Sequence, residues 1–317
     1  MTKFGFVFPG QGSQKPGMGK VFFDNYEEIK NIFASANSVL GRDLAKICFE
    51  GPDEELRQTI NAQPSIFLVS VCIAELLKKA RIVPSLVAGH SLGEITAYYV
   101  SSVFDLETAL NVIDKRARAM ANSYPSEDSA MAAILTLDVK TVEKLVKEVS
   151  GKVVVANYNS PGQVVISGEK QAVADAVQLC KEQGGRVLPL NVSGPFHSPL
   201  MSKGSREFGE TLEEVKFIDA TVPIVLNRTA SPETKASALK DNLPLQIISP
   251  VNWIDSMLYM SEKVDVIIEC GPGRVLSGLI KKINPNIQLV NISDEDSYLR
   301  FIEEFSGSKR VEDLISG

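Results

Sequence analysis

The chain has 317 residues, 44% of them apolar and 23% charged, an ordinary globular composition with room for one large domain or two modest ones. Its 39 acidic and 33 basic side chains leave a net charge of −6, which excludes a wholesale nucleic-acid binder but not a local basic patch. Cys48, Cys72, Cys180 and Cys270 are scattered, with no C-x-x-C pair and no histidine at ligand spacing. They read as buried free thiols of a reducing compartment, and neither a metal site nor a disulfide framework is expected. The first residues, Met1 to Phe8, hold one lysine and an apolar run too short for a signal-peptide core, and no run approaches the ~18 apolar residues of a membrane span. The expectation is a soluble, cytoplasmic protein, monomeric, that touches neither membrane nor nucleic acid.

Lys3 to Phe8 reads as a short buried strand closed by Pro9-Gly10-Gln11-Gly12. Helical patterns follow, among them Pro64 to Lys79, too densely apolar for an exposed helix. Ser85 to Ala88 is a second apolar strand that runs directly into Gly89-His90-Ser91-Leu92-Gly93. Asp105 caps a helix whose apolar stripe is Leu106, Ala109, Leu110, Ile113, Ala117 and Met120. Met131 to Leu137 is strand-like, and Asp138 caps a helix with Val142, Leu145, Val146 and Val149 on one face. Lys152 to Ala156 and Gln163 to Ser167 are strands around the turn-rich stretch 157–162. A helix with Ala172, Val173, Ala176, Val177 and Cys180 inward, then strand Arg186 to Leu188, complete a β-α-β-β-α-β order. Near the end, strand Val264 to Ile268 leads through Gly271-Pro272-Gly273 into a helix from Val275. The predicted fold is α/β: a hydrolase-like core with a mainly parallel sheet, from residues 1–125 and 193–317, and an inserted ferredoxin-like subdomain, residues 126–192.

Gly89-His90-Ser91-Leu92-Gly93 fits G-x-S-x-G between a strand and a helix, the setting in which that motif presents a strained nucleophilic serine. The helix start aims backbone N–H groups and the positive end of its dipole at Ser91. A serine needs a base, and the chain has two histidines. His90 adjoins Ser91 and should point to another side of a sharp turn. His197 lies in Ser193-Gly194-Pro195-Phe196-His197-Ser198-Pro199, a loop stiffened by two prolines, and is the expected base. The N–H groups of Gln11 and Leu92 could form an oxyanion hole. The rival phosphate loop fails, because Lys15 stands where G-x-G-x-x-G needs its last glycine and no G-K-[ST] follows. On the Asp105-capped helix, Lys115 and Arg118 fall on the solvated side and Arg116 turns towards the protein body. Spacing leaves two roles open for Arg116: a structural or snorkelling arginine, or a fixed fork for a carboxylate.

The chain resembles the malonyl-coenzyme A:acyl carrier protein transacylases, relatives of polyketide synthase acyltransferase domains. The likeness is carried by Phe8-Pro9-Gly10-Gln11-Gly12-Ser13-Gln14, Gly89-His90-Ser91-Leu92-Gly93-Glu94, Lys115-Arg116, Met131-Ala132-Ala133, Asn157-Tyr158-Asn159-Ser160-Pro161-Gly162-Gln163, Pro195-Phe196-His197-Ser198 and Gly271-Pro272-Gly273. It implies Ser91 as nucleophile, His197 as base, Gln11 and Leu92 as oxyanion donors, and Arg116 as anchor of the malonyl carboxylate. It further implies that the Gln246 backbone carbonyl orients His197, and that Phe196, His90, Met120, Asn157 and Asn159 surround the substrate. Malonyl-coenzyme A and acyl carrier protein are the implied partners in fatty-acid biosynthesis, with no cofactor. A polyketide acyltransferase acting in trans and a serine thioesterase are the alternatives. Lys203, Arg206, Lys281 and Lys282 are candidates for a carrier-docking patch. The departures are local: Ser101-Ser102 replaces the usual Ala-Gly, and Ala130 and Thr136 stand where glycine is frequent.

Overall fold

The computed structural model describes residues 2–305. Its strands, in chain order, are β1 (Phe4–Phe8), β2 (Pro84–Gly89), β3 (Ser129–Leu135), β4 (Val153–Ser160), β5 (Gln163–Glu169), β6 (Arg186–Leu190), β7 (Ile224–Val225), β8 (Pro232–Glu233), β9 (Val266–Cys270) and β10 (Gln288–Ile292). Six of them form one sheet in the order β10-β9-β1-β2-β7-β8, parallel throughout except at β7–β8. Alternation along β1 sends Phe6 and Phe8 into one apolar core and Val7 into a second on the opposite face. Two covered faces are what near-continuous apolar strands require.

The first of these cores surrounds a helix, Thr59–Lys79, that starts five residues before the predicted Pro64. Proline inside a helix deprives the carbonyl four residues earlier of its donor. Here that carbonyl, of Ile60, accepts from Arg42 Nη2 at 2.7 Å. By length and composition this helix could cross a membrane, but 89% of its most apolar stretch is buried inside the fold.

The remaining strands make an antiparallel sheet, β4-β5-β3-β6, drawn from residues 129–190. Helices Val139–Glu148 and Lys170–Glu182 pack on it around a separate core that includes Ile134, Val142, Ile166 and Ala176. With the β-α-β-β-α-β chain order, this is the predicted ferredoxin-like arrangement. Asp105 and Asp138 cap their helices as expected, accepting from the N–H of Thr108 and Thr141. One expectation fails: the stretch 157–162 is not a loop. β4 continues to Ser160, and the turn is only Pro161-Gly162. The extra residues are held from the other sheet's side, where Val251 N–H donates to the Ala156 carbonyl and its own carbonyl accepts from Tyr158 N–H.

Two of the local departures have visible consequences. Ser102 and Thr136 sit at φ 61° and 74°, in the left-handed region that glycine enters freely and side chains enter at about 1–2 kcal/mol. The Ser101 hydroxyl is buried with no hydrogen-bond partner among the described residues, a loss of about 1–3 kcal/mol. The double change Ser101→Ala and Ser102→Gly should therefore raise the melting temperature by a few degrees, of order 2 °C per kcal/mol at this chain length, read by calorimetry.

Candidate active site

The site lies at the carboxyl ends of the parallel strands, the usual position for ligands in such sheets. β2 ends at Gly89, and the chain turns through Ser91 at φ 53° into the helix Gly93–Val100. The flanking glycines are sterically required. A Cβ on Gly89 would come within 1.9 Å of the Gly93 carbonyl, and one on Gly93 within 2.2 Å of the Phe8 carbonyl oxygen. β2, the helix and β1 are thus packed backbone to backbone around the serine.

His197 reaches this turn from the distant loop. Its Nε2 is 2.8 Å from Ser91 Oγ, and its Nδ1 lies 3.0 Å from the Gln246 carbonyl and 3.1 Å from that of Ser249. Two carbonyl acceptors place the proton on Nδ1 and leave the Nε2 lone pair facing the hydroxyl. Gln246 was expected here, and Ser249 was not. His197 itself has φ 57°, conformational strain of the kind found where geometry is fixed for chemistry. Burial, and after it the Arg116 guanidinium, push its imidazolium down to about 3, so the ring is a neutral acceptor. His90, as expected, points elsewhere: its Nε2 is 2.8 Å from Asn159 Oδ1 and its ring packs edge-on to Trp253.

Arg116 is fully buried. Its Nη1 donates to Gln63 Oε1 at 2.8 Å, and its Nη2 to Gln246 Oε1 at 2.7 Å and to Ser91 Oγ at 3.2 Å. Its Nε has no partner, and no ion pair among the described residues includes it. Burial lowers its pKa to about 10, which leaves it charged at neutral pH. Lys115 and Arg118 are exposed on the same helix, the sidedness that the spacing predicts. The direct contacts of Arg116 are all neutral oxygens, and Glu94, whose charge acts on it, makes no ion pair with it, so the guanidinium can still accept an anionic partner.

Beside these groups is a cavity of about 90 Å³, lined among others by Gln11, His90, Ser91, Leu92, Met120 and Phe196. Asn157 also lines it, whereas Asn159 stands one layer behind, acting on His90. Gln63, Met131, Leu190 and Val192 complete the wall and were not assigned to the site from the sequence. Nothing local marks Gln63, a polar residue in a densely apolar helix, except that it is buried at all. The Gln11 side chain bonds to Thr59 Oγ1, which in turn meets Ser193 Oγ at 2.8 Å.

The matches to known proteins agree with this geometry. The acyl transferase domain family matches residues 5–281. The malonyl CoA-acyl carrier protein transacylase of Bacillus subtilis (strain 168) is 39% identical over 302 residues, covering 94% of this chain and 95% of that protein. That of Staphylococcus aureus (strain COL) is 38% identical over 297 residues, 92% and 96% of the two chains. The chain belongs to the malonyl-coenzyme A:acyl carrier protein transacylase family. An acyl carrier protein S-malonyltransferase from Vibrio cholerae superposes on this acyltransferase with a TM-score of 0.91 at 39% identity, over 95% of this chain and all of that one. A malonyl-transacylase solved in complex with its type II PKS acyl-carrier protein superposes at 0.93 and 37% identity, over 96% and 100%.

Proposed function

We propose that this acyltransferase moves a malonyl group from malonyl-coenzyme A to the phosphopantetheine thiol of an acyl carrier protein, in fatty-acid synthesis, through a malonyl ester of Ser91. The observation that carries the reading is the buried, unpaired Arg116 with Nη2 3.2 Å from Ser91 Oγ. A malonyl group attached at Ser91 carries a free carboxylate a few ångströms away, within reach of that planar fork.

Ser91 Oγ attacks the thioester carbonyl while His197 Nε2 takes its proton. The Gln11 and Leu92 N–H groups, which donate no hydrogen bond within the described chain, receive the oxyanion. Its collapse expels the coenzyme A sulfur, and His197 returns the proton to it. In the second half the carrier thiol gives its proton to His197 and attacks the ester, and Ser91 recovers its hydrogen. These residues supply every group the two steps use, and no cofactor is proposed.

The test is intact-mass analysis and peptide mapping after incubation with malonyl-coenzyme A. One malonyl group on the peptide holding Ser91 is expected, and it should leave when carrier protein is added. An adduct on another residue, or release as free malonate faster than transfer, would overturn the reading in favour of another nucleophile or a thioesterase. The likeness to the type II PKS complex keeps a polyketide carrier as second acceptor, decided by comparing transfer to the two carriers.

Carrier docking is proposed to be electrostatic, despite the enzyme's own negative charge. Of the candidate cations, Lys203 lines a surface cavity with residues 121–126 and Ser193, which follows Val192 of the site's wall. Arg206 is exposed on the helix Ser202–Leu212 that also carries Lys203. Lys281 and Lys282 are partly spent on the Ile287 carbonyl and Gln163 Oε1. Transfer to the carrier should weaken as salt rises, while acylation by malonyl-coenzyme A changes less. Stopped-flow measurement of the two half-reactions at several ionic strengths checks this, and salt-independent transfer refutes it.

A further inference from the structure

Ser91 stands in the left-handed region at φ 53°, so something must hold the peptide groups that lead into it. The grip comes from Asn227, which follows β7, the strand beside β2 in the sheet. Its Oδ1 accepts from the Ser91 N–H at 2.7 Å, and its Nδ2 donates to the Gly89 carbonyl at 2.6 Å. One primary amide thereby clasps the two peptide groups that lead into Ser91, on either side of His90, while the Ser91 carbonyl beyond them accepts from Gln246 Nε2 at 3.0 Å. Asn227 is itself fixed. Its backbone N–H donates to Glu94 Oε2 at 2.6 Å, and its carbonyl accepts from the Asn252 N–H at 2.9 Å. Glu94, in the first turn of the helix that follows Ser91, spends its other oxygen on Asn242 Nδ2 at 2.7 Å. Asn227 and Glu94 are fully buried and Asn242 is 1% exposed.

A carboxylate cut off from solvent and without a direct ion pair is expensive to bury. Burial raises the Glu94 pKa to about 7, against the pull of Asn227, Gln246, the Arg116 charge and Asn242. None of Asn227, Glu94 and Asn242 lines the cavity, so substrate binding does not account for them. We propose that Asn227 is a positioning residue that holds the Ser91 turn in its reactive conformation, with Glu94 and Asn242 keeping Asn227 in register. The proposal rests on Ser91 being the acylated residue.

Single-turnover acylation by malonyl-coenzyme A, with adduct mapping, tests it. Asn227→Ala should slow the saturated acylation rate by about 10- to 100-fold, the size of effect that a slightly misplaced reacting group produces. The substrate concentration for half-saturation should stay within about twofold, because Arg116 and the cavity are untouched. Glu94→Gln removes one acceptor and sets an N–H against either Asn227 N–H or Asn242 Nδ2, for a loss of about tenfold. Adding Asn242→Asp restores the count of donors and acceptors: the new amide turns its oxygen to Asn227 and its N–H to the new carboxylate. The double variant should recover most of the rate.

A folded Asn227→Ala protein with an unchanged acylation rate overturns the proposal. If that variant does not fold, the Glu94 pair decides: Glu94→Gln at the wild-type rate, or a double variant no faster than Glu94→Gln, overturns it as well. A wild-type adduct mapped away from Ser91 would instead remove the nucleophile reading on which the proposal stands, and is seen before any variant is made.

Discussion

His197→Ala should lower the acylation rate by about 10²- to 10⁴-fold, the contribution of a positioned general base. The geometry supports the upper part of that range, since Nε2 is the one ring nitrogen near Ser91 Oγ, at 2.8 Å. His90 cannot substitute, because its Nε2 is 2.8 Å from Asn159. Alanine at φ 57° adds backbone strain of about 1–2 kcal/mol, so His197→Gly is the companion variant that separates lost chemistry from lost stability. The pH dependence gives an independent check. With the imidazolium pushed down to about 3, kcat/KM should stay flat well below pH 6.5 on the acid side. A bound malonyl carboxylate neutralises the Arg116 charge, the second cause of that shift, so the acid limb of kcat should lie at higher pH than that of kcat/KM. The stability effect has a definite sign. Between about pH 6.5 and 3 the unfolded chain binds a proton at His197 that the folded chain refuses, so this group's contribution to stability falls as pH falls through that window. If His90→Ala shifted the pH–rate profile as His197→Ala should, the assignment of the base would be wrong.

Arg116→Ala should cut malonyl transfer by roughly 10²-fold or more. A hydrogen bond to a charged group contributes about 1.5–3 kcal/mol, a bidentate arginine–carboxylate pair sits at or above the upper end, and 1.4 kcal/mol is tenfold. Acetyl groups carry no carboxylate, so their transfer should hold or rise and the malonyl-to-acetyl ratio should fall towards unity. Truncation also releases Ser91 Oγ from Nη2, a restraint that both substrates lose equally. Arg116→Lys should rescue only part of the malonyl rate, since an ammonium cannot keep Gln63, Gln246 and a carboxylate together as the planar fork can. Arg118→Ala is the control. Arg118 is exposed and its partner Asp114 remains paired with Arg42 at 2.6 Å, so the ratio should not change. Measuring kcat/KM for both thioesters in all three variants decides the matter. Equal slowing of acetyl and malonyl transfer by Arg116→Ala would make Arg116 a structural residue and remove the physical basis for malonyl.

The sequence by itself determined the elements whose signals are local. Asp105 and Asp138 announce helices because a cap needs only its own side chain and the next turn's N–H groups. The strand, G-x-S-x-G and helix around Ser91 are legible because a sharp elbow admits only glycine where backbones nearly touch. The sidedness of Arg116 follows from helical period alone. The two-residue strands β7 and β8 are too short to carry any pattern, and the chain from Asn157 to Ser160 looks like a turn because its extended form depends on Val251, almost a hundred residues away. Tertiary structure alone shows what the spacing could not, that Arg116 is buried beside Ser91 with no direct ion pair among the described residues, which supports the carboxylate-binding role proposed for it. It alone brought in Gln63, Asn227 and Ser249, and gave Glu94, in sequence only the last residue of a motif, its partners. Each is an ordinary polar residue in sequence, and each acquires a role only when desolvation makes an unmet donor or acceptor costly and a distant segment supplies the match.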